Sequence, residues 1–250
     1  MKIKYSCFSD VGKVREVNQD SIFCRQKDGV GLFAVADGMG GHTDGELASQ
    51  EVADQLIQWW NVHIMECEPS DFVNLIKSLE KIIQIANSNI YQKYNNGAIC
   101  GCTLVVLFIF QQSYAVISAG DSRIYKLYGI NTVSQLTQDD VWEMQQSVRC
   151  QYTADEIEHH ESKGKLMNAI GVFEEAGMHI TTDTLKKADT FLLCSDGVYK
   201  MCTEDQIRNW MKAYRKNPDN TGLMTRVKTE IYERGALDNM SAVFVKVTKR

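Results

Sequence analysis

Between Thr103 and Leu136 the chain passes through segments of strand character (Thr103–Phe110, Tyr114–Ala119, Arg123–Tyr128 and Thr132–Leu136) broken only by short interruptions such as Gln111-Gln112, Gly120-Asp121 and Gly129-Ile130. A parallel crossover needs a dozen or more residues, so gaps this short predict an antiparallel meander. Further strand patterns stand at Ile3–Ser9, Ser21–Arg25 and Gly31–Ala36 before it, and at Thr190–Cys194 and Ala242–Val247 after it. Two helical patterns lie between: Leu47, Ala48, Val52, Ala53, Leu56, Ile57 and Trp60 fall on one face, as do Phe72, Leu75, Ile76, Leu79, Ile82, Ile83, Ala86 and Ile90. Thr43-x-x-Glu46 reads as a capping box for the first. Later helices are expected after Thr203-x-x-Gln206 and over Thr221–Arg234. Helices outside an antiparallel sandwich would bury all these faces, which predicts an α+β fold with α-β-β-α layers. The polar stretch Asp139–Gly164 interrupts the strands and reads as a flap, taken as a subdomain over 139–170 of one domain spanning 1–250.

Composition narrows the functional classes. A net charge of −5 leaves no global basic field to recruit nucleic acid or an anionic membrane. The first residues lack the apolar core of a secretory signal, and the longest apolar run, Leu104–Phe110, is strand-sized, so a cytoplasmic location is the default expectation. The eight cysteines include no Cys-x-x-Cys pair and read as reduced, mostly buried thiols.

The chemistry-bearing residues share one grammar. Asp37 follows the apolar run Leu32–Ala36 and opens Asp37-Gly38-Met39-Gly40-Gly41-His42, read as a strand-end carboxylate followed by a glycine turn. Asp20 precedes a strand, Asp196 follows one and precedes glycine, and Asp238 precedes Asn239 and the final strand. Any one of them alone reads as a turn aspartate. Gathered on one rim they would repel one another, and a hard divalent cation such as Mg²⁺ or Mn²⁺ is the counter-charge that oxygen ligands suit.

These contexts carry a resemblance. The segments Gly12–Asp20, Val35–His42, Gly45–Ser49, Ala119–Arg123, Gln135–Thr137, Leu192–Gly197 and Asp238–Ser241 resemble, in order and across nearly the whole chain, the metal-dependent protein phosphatases (PPM, type 2C), especially the compact bacterial ones. The resemblance implies a serine/threonine phosphoprotein phosphatase built on a β-sandwich flanked by helix pairs, with two Mn²⁺ or Mg²⁺ ions at one edge. Asp37 would bridge the ions, the Gly38 carbonyl would bind one, Asp196 and Asp238 would hold a metal, and Asp20 would act on it or its waters. Arg15 would grip the substrate phosphate through its guanidinium fork. Asp121 either helps hold a weaker third ion, as the resemblance implies, or is a turn aspartate pairing with Arg123. A metal-bridged hydroxide would attack phosphorus in line, and His42 would protonate the leaving alkoxide. Phosphorylated proteins and an opposing serine/threonine kinase are the implied partners, with no nucleic acid, no membrane and no demand for a dimer.

The chain also departs from the family pattern. It has Asp139-Asp140-Val141 where Asp-His-Ser is common, Met167-Asn168-Ala169-Ile170-Gly171 where Thr-Arg-Ala-Leu-Gly is common, Ala188-Asp189 for Gly-Asp, and Ser241 for threonine. None removes an expected ligand, and two flank the flap. Cys202–Arg208 fits the Cys-x5-Arg spacing of cysteine phosphatases, but its interior carries Glu204 and Asp205 and no glycine, which would repel phosphate. Two alternatives stay open on the residues: a catalytically silent, phosphatase-like regulatory module, and a phosphatase of small phosphomonoesters.

Overall fold

The computed structural model describes residues 1–40, 44–66, 71–94, 99–220 and 222–248. One sheet takes β1 (Lys2–Asp10), β7 (Arg123–Tyr128), β8 (Thr132–Gln135), β10 (Thr190–Cys194) and β11 (Met240–Thr248) in the order β1-β11-β10-β7-β8. The other takes β2 (Asp20–Lys27), β3 (Val30–Gly40), β5 (Leu104–Phe110), β6 (Ser113–Ala119) and β9 (His179–Thr184) in the order β2-β3-β5-β6-β9, with β4 (Cys100–Cys102) paired to the far end of β3. Every ladder is antiparallel.

Period-two side-chain alternation turns these sheets into a layered body. On β5, Val105, Leu107 and Ile109 face the other sheet, while Leu104, Val106, Phe108 and Phe110 face helices α1 (Asp44–Trp60) and α2 (Phe72–Tyr94). In the first sheet Phe191, Leu193, Val243 and Val245 point inward to the same middle core. Leu192, Cys194, Ala242 and Phe244 point outward to α6 (Glu204–Lys216) and α7 (Gly222–Tyr232). Three apolar seams therefore hold four layers, the α-β-β-α sandwich that the patterns predict. Thr203 caps α6 with the expected box: its hydroxyl accepts from Gln206 N–H, and Gln206 answers on the Thr203 N–H. The corresponding box at Thr43 lies outside the described residues.

Several expectations change. Leu47 and Ile57 are exposed, and Trp59 takes a buried place on α1 instead. β9 was not anticipated: its residues, His179-Ile180-Thr181-Thr182-Asp183-Thr184, form a mostly exposed edge strand with no apolar alternation to signal it. Within 139–170 the chain forms short helices, α3 (Gln146–Gln151) and α4 (Ala154–Glu158), closed at the base by a bridge between Val141 and Leu166. No cysteine among the described residues is in a disulfide, and most are buried, with Cys150 exposed. No helix among them is long and apolar enough to cross a membrane.

Among the described residues an ion pair lies inside the sandwich. Lys126 on β7 is fully buried, its Nζ 2.9 Å from the buried Asp189 carboxylate and ringed by Tyr114, Tyr128 and Phe191 at 4.6, 4.9 and 5.4 Å from their centroids. Nothing in Arg123-Ile124-Tyr125-Lys126-Leu127-Tyr128 marks that lysine as different from a solvated one.

Candidate active site

Asp20 and Asp37 meet because β2 and β3 pair antiparallel with these two residues directly opposite each other. Asp37 does not end its strand, as the glycines after it had suggested. Residues 38–40 continue β3 beyond its pairing with β2 and run beside β4. Thr103 fixes this switch, its N–H donating to the Asp37 carbonyl at 2.8 Å and its hydroxyl accepting from the Asp37 N–H at 3.3 Å. Gly38 is required there: a Cβ would stand 2.2 Å from the Gly45 carbonyl oxygen and 2.5 Å from that of Gln19. Asp121 sits in the turn after β6, Asp196 opens the short helix α5 (Asp196–Tyr199) behind β10, and Asp238 precedes β11. Strands of both sheets thus deliver carboxylates to one rim.

There they line a cleft of about 290 Å³ with Arg15, Gly38 and Lys200. Asp20 lies behind its floor, 8% exposed; one carboxylate oxygen accepts from the Ser195 hydroxyl at 2.8 Å, and the other, Oδ1, has no partner. Arg15 reaches Asp238 at 2.7 Å, and Lys200 reaches Asp196 at 2.6 Å. The electrostatics show a deficit of positive charge. Burial, partly offset by the Ser241 and Ser195 hydroxyls, holds Asp20 up at about 6. Asp37 is pushed well up by burial and then by Asp20, Asp196, Asp121 and Asp238, and Asp121 is raised by burial and Asp196. Among the described residues, carboxylates Asp20, Asp37, Asp121, Asp196 and Asp238 outnumber the two nearby cations, Arg15 and Lys200.

That surplus, the orphaned Asp20 oxygen and an all-oxygen donor set fit hard divalent cations. Among the described residues no three acidic, histidine or cysteine side chains already close on a single point. An ion here would therefore complete its shell with water, as Mg²⁺ commonly does. The general-acid candidate His42 lies outside the described residues. Of the two open readings for Asp121, pairing with Arg123 is not what the structure shows: that guanidinium grips Asp139, with 2.6 Å at the shortest contact.

Other residues of the site went unread in the sequence. Asn239 accepts from the Gln19 N–H at 2.9 Å and donates to the carbonyls of Val11 at 3.0 Å and Val17 at 2.9 Å, clamping the loop that carries Arg15. Its place after Asp238 was visible, but an Asp-Asn turn hides such a role. Two of the family departures meet where the segment 139–170 joins the sheets. Asn168 donates to Asp140 Oδ2 at 2.8 Å, where the Gly120 N–H also binds at 2.9 Å, and His179 donates to Oδ1 at 2.7 Å. An imidazole from β9 thus rests on Asp140, the position at which the family pattern commonly has histidine.

Comparison with known proteins agrees with this geometry. The family described as "Protein phosphatase 2C" matches residues 13–231. The protein phosphatase PhpP of Streptococcus pneumoniae is 30% identical over 252 aligned positions, covering 99% of this chain and 98% of its own. The serine/threonine phosphatase PstP/Ppp of Mycobacterium tuberculosis superposes with a TM-score of 0.82 at 26% identity, covering 99% of each chain. The catalytic domain of PstP in complex with two manganese ions gives 0.79 at 25% identity, also over 99% of each. The chain belongs to the protein phosphatase 2C family.

Proposed function

We propose that this chain hydrolyses phosphoserine and phosphothreonine in proteins with the help of two Mn²⁺ or Mg²⁺ ions. The observation that carries the reading is the convergence of Asp37, Asp196 and Asp238 from separate segments onto one cleft that also presents Arg15, with Asp20 paired opposite Asp37 behind it. Asp37, the Gly38 carbonyl, Asp196 and Asp238 would hold the ions, with Asp20 behind them orienting their waters. When bound, such ions supply an activated water and neutralise charge on phosphate. The protein's own groups do the rest. Arg15, half exposed and leaning on Asp238, offers its remaining N–H groups to phosphate oxygens. Asn239 keeps that arginine's loop in place. Proton delivery to the departing serine or threonine oxygen is assigned to His42. Residues 139–170 act as a flap, placing Gly164 and Leu166 on the cleft wall, where a phosphopeptide would pass. A protein serine/threonine kinase is the class of enzyme that supplies such a substrate.

The test is manganese-dependent phosphate release from phosphothreonine peptides, set beside small phosphomonoesters. Release from peptides that stops on chelation is expected. Release only from small esters would move the substrate assignment, and none from any substrate would leave the silent-module reading standing.

A further inference from the structure

Lys200 belongs to no expected part of the site, yet it occupies a defined place in it. It lies one helical turn beyond Asp196, so the backbone of α5 carries its ammonium back over that carboxylate, 2.6 Å from Asp196 Oδ2. The same nitrogen stands 3.6 Å from Asp121 Oδ2, which also accepts the Tyr199 hydroxyl at 3.2 Å. Tyr199 is held in turn by the Arg123 guanidinium, stacked 3.7 Å from its ring centroid and tied to Asp139. One carboxylate oxygen of Asp121 and one of Asp196 therefore share a single resident cation, on a short helix braced from its other side. The remaining cleft cation, Arg15, is committed to Asp238 at the opposite wall.

We propose that Lys200 is a built-in counter-ion that takes the place of a further divalent ion between Asp121 and Asp196, leaving this chain with the two ions held around Asp37. This role for Lys200 rests on the metal-dependent reading of the cleft given above. A divalent ion at Asp121 would need the oxygens that Lys200 now engages, and an ammonium and a divalent ion cannot both sit against them without strong repulsion. An ordinary solvated i,i+4 pair would have no such effect, because nothing would compete for its carboxylate. A lysine supplies its charge permanently and cannot be lost to a chelator or to low metal concentration. The Asp121 wall of the cleft is then set electrostatically by the sequence itself.

The experiment counts ions and needs no turnover. The full chain is titrated with Mn²⁺ by calorimetry, with free Mn²⁺ followed in parallel by electron paramagnetic resonance. Wild type is expected to take up about two ions per chain, Lys200→Met about three, and Lys200→Arg about two, since a guanidinium keeps the charge. Lys200→Met/Asp121→Asn should return to about two, because the added ion has lost its ligand. Circular dichroism on each variant verifies folding. An unchanged count in Lys200→Met, or three ions already on wild type, overturns the role given to Lys200 and leaves the two-ion reading intact. No uptake by any variant overturns the metal reading and this proposal with it.

Discussion

Replacing Lys126 with methionine keeps the length and apolar stem of the side chain and removes only its charge, so the variant isolates what the buried ion pair contributes. At 2.9 Å and an effective dielectric of about 20, the attraction to Asp189 is about 6 kcal/mol. The desolvation of both groups offsets much of that, and the aromatic ring around Nζ returns up to about 2 kcal/mol. Removing one partner strands the other. Asp189 keeps its bond from the Lys186 N–H at 2.8 Å but has no cation left in a site from which water is excluded. The expected cost of Lys126→Met is therefore about 3–5 kcal/mol, which for a chain of this size lowers Tm by roughly 6–20 °C. Lys126→Met/Asp189→Asn should recover at least half of the loss, since no uncompensated charge remains. Urea unfolding of both singles and the double closes the cycle. Lys126 pairs across the sheet with Phe191, near the end of β10 opposite Asp196, so turnover well below Tm should stay at the wild-type level. A cost of Lys126→Met under about 1 kcal/mol, or a double variant that loses the full sum of the singles, would refute the reasoning.

Ala188 adopts φ +64°, a left-handed backbone that penalises any Cβ. Ala188→Gly should therefore stabilise the fold by about 0.5–1 kcal/mol once the entropy of glycine is deducted, and a lowered urea midpoint would contradict this. Gly38→Ala forces a Cβ against the backbone oxygens of Gly45 and Gln19; we expect at least a roughly tenfold weaker Mn²⁺ affinity by calorimetry, and wild-type binding would remove Gly38 from the ion site. Asp20 is held at about 6 against an ordinary 3.8. It thus binds its proton more tightly folded than unfolded, so its contribution to the chelated protein is greatest below about pH 4 and is lost as pH rises through about 6. Urea midpoints measured in chelator should fall across that window more steeply for wild type than for Asp20→Asn; parallel profiles would count against the assignment. Finally, His42→Ala should slow phosphoserine hydrolysis about a hundredfold or more while sparing p-nitrophenyl phosphate, whose leaving group needs no proton, and equal losses would sink the acid role.

What could be read in advance follows from how each signal is generated. β3 and β5 are buried on both faces, so their apolar runs announced them, whereas the placing of Asp20 opposite Asp37 depends on the β2–β3 register, which no local pattern prints. β9 could not be seen, because an exposed edge strand needs no apolar alternation. The extension of β3 through Gly40 was hidden by glycines that ordinarily mark turns and here admit close backbone packing. Lys200 left a faint trace in its four-residue spacing from Asp196 once 196–200 is taken as helical. Lys126 left none, because burial of a lone charge depends on Asp189 arriving from a distant segment.

β1 and β11 lie almost a whole chain apart and still pair residue for residue, from Lys2 with Thr248 to Asp10 with Met240. During synthesis β1 must wait for its ladder until β11 has left the ribosome. Asp238 and Asn239 emerge with that strand, bringing a cleft carboxylate and the clamp on the Arg15 loop together. The cleft is therefore finished at the moment the sheet closes. A nascent chain that has not yet reached Asp238 lacks one wall of the cleft and the clamp on the Arg15 loop, whatever else of the fold has already formed.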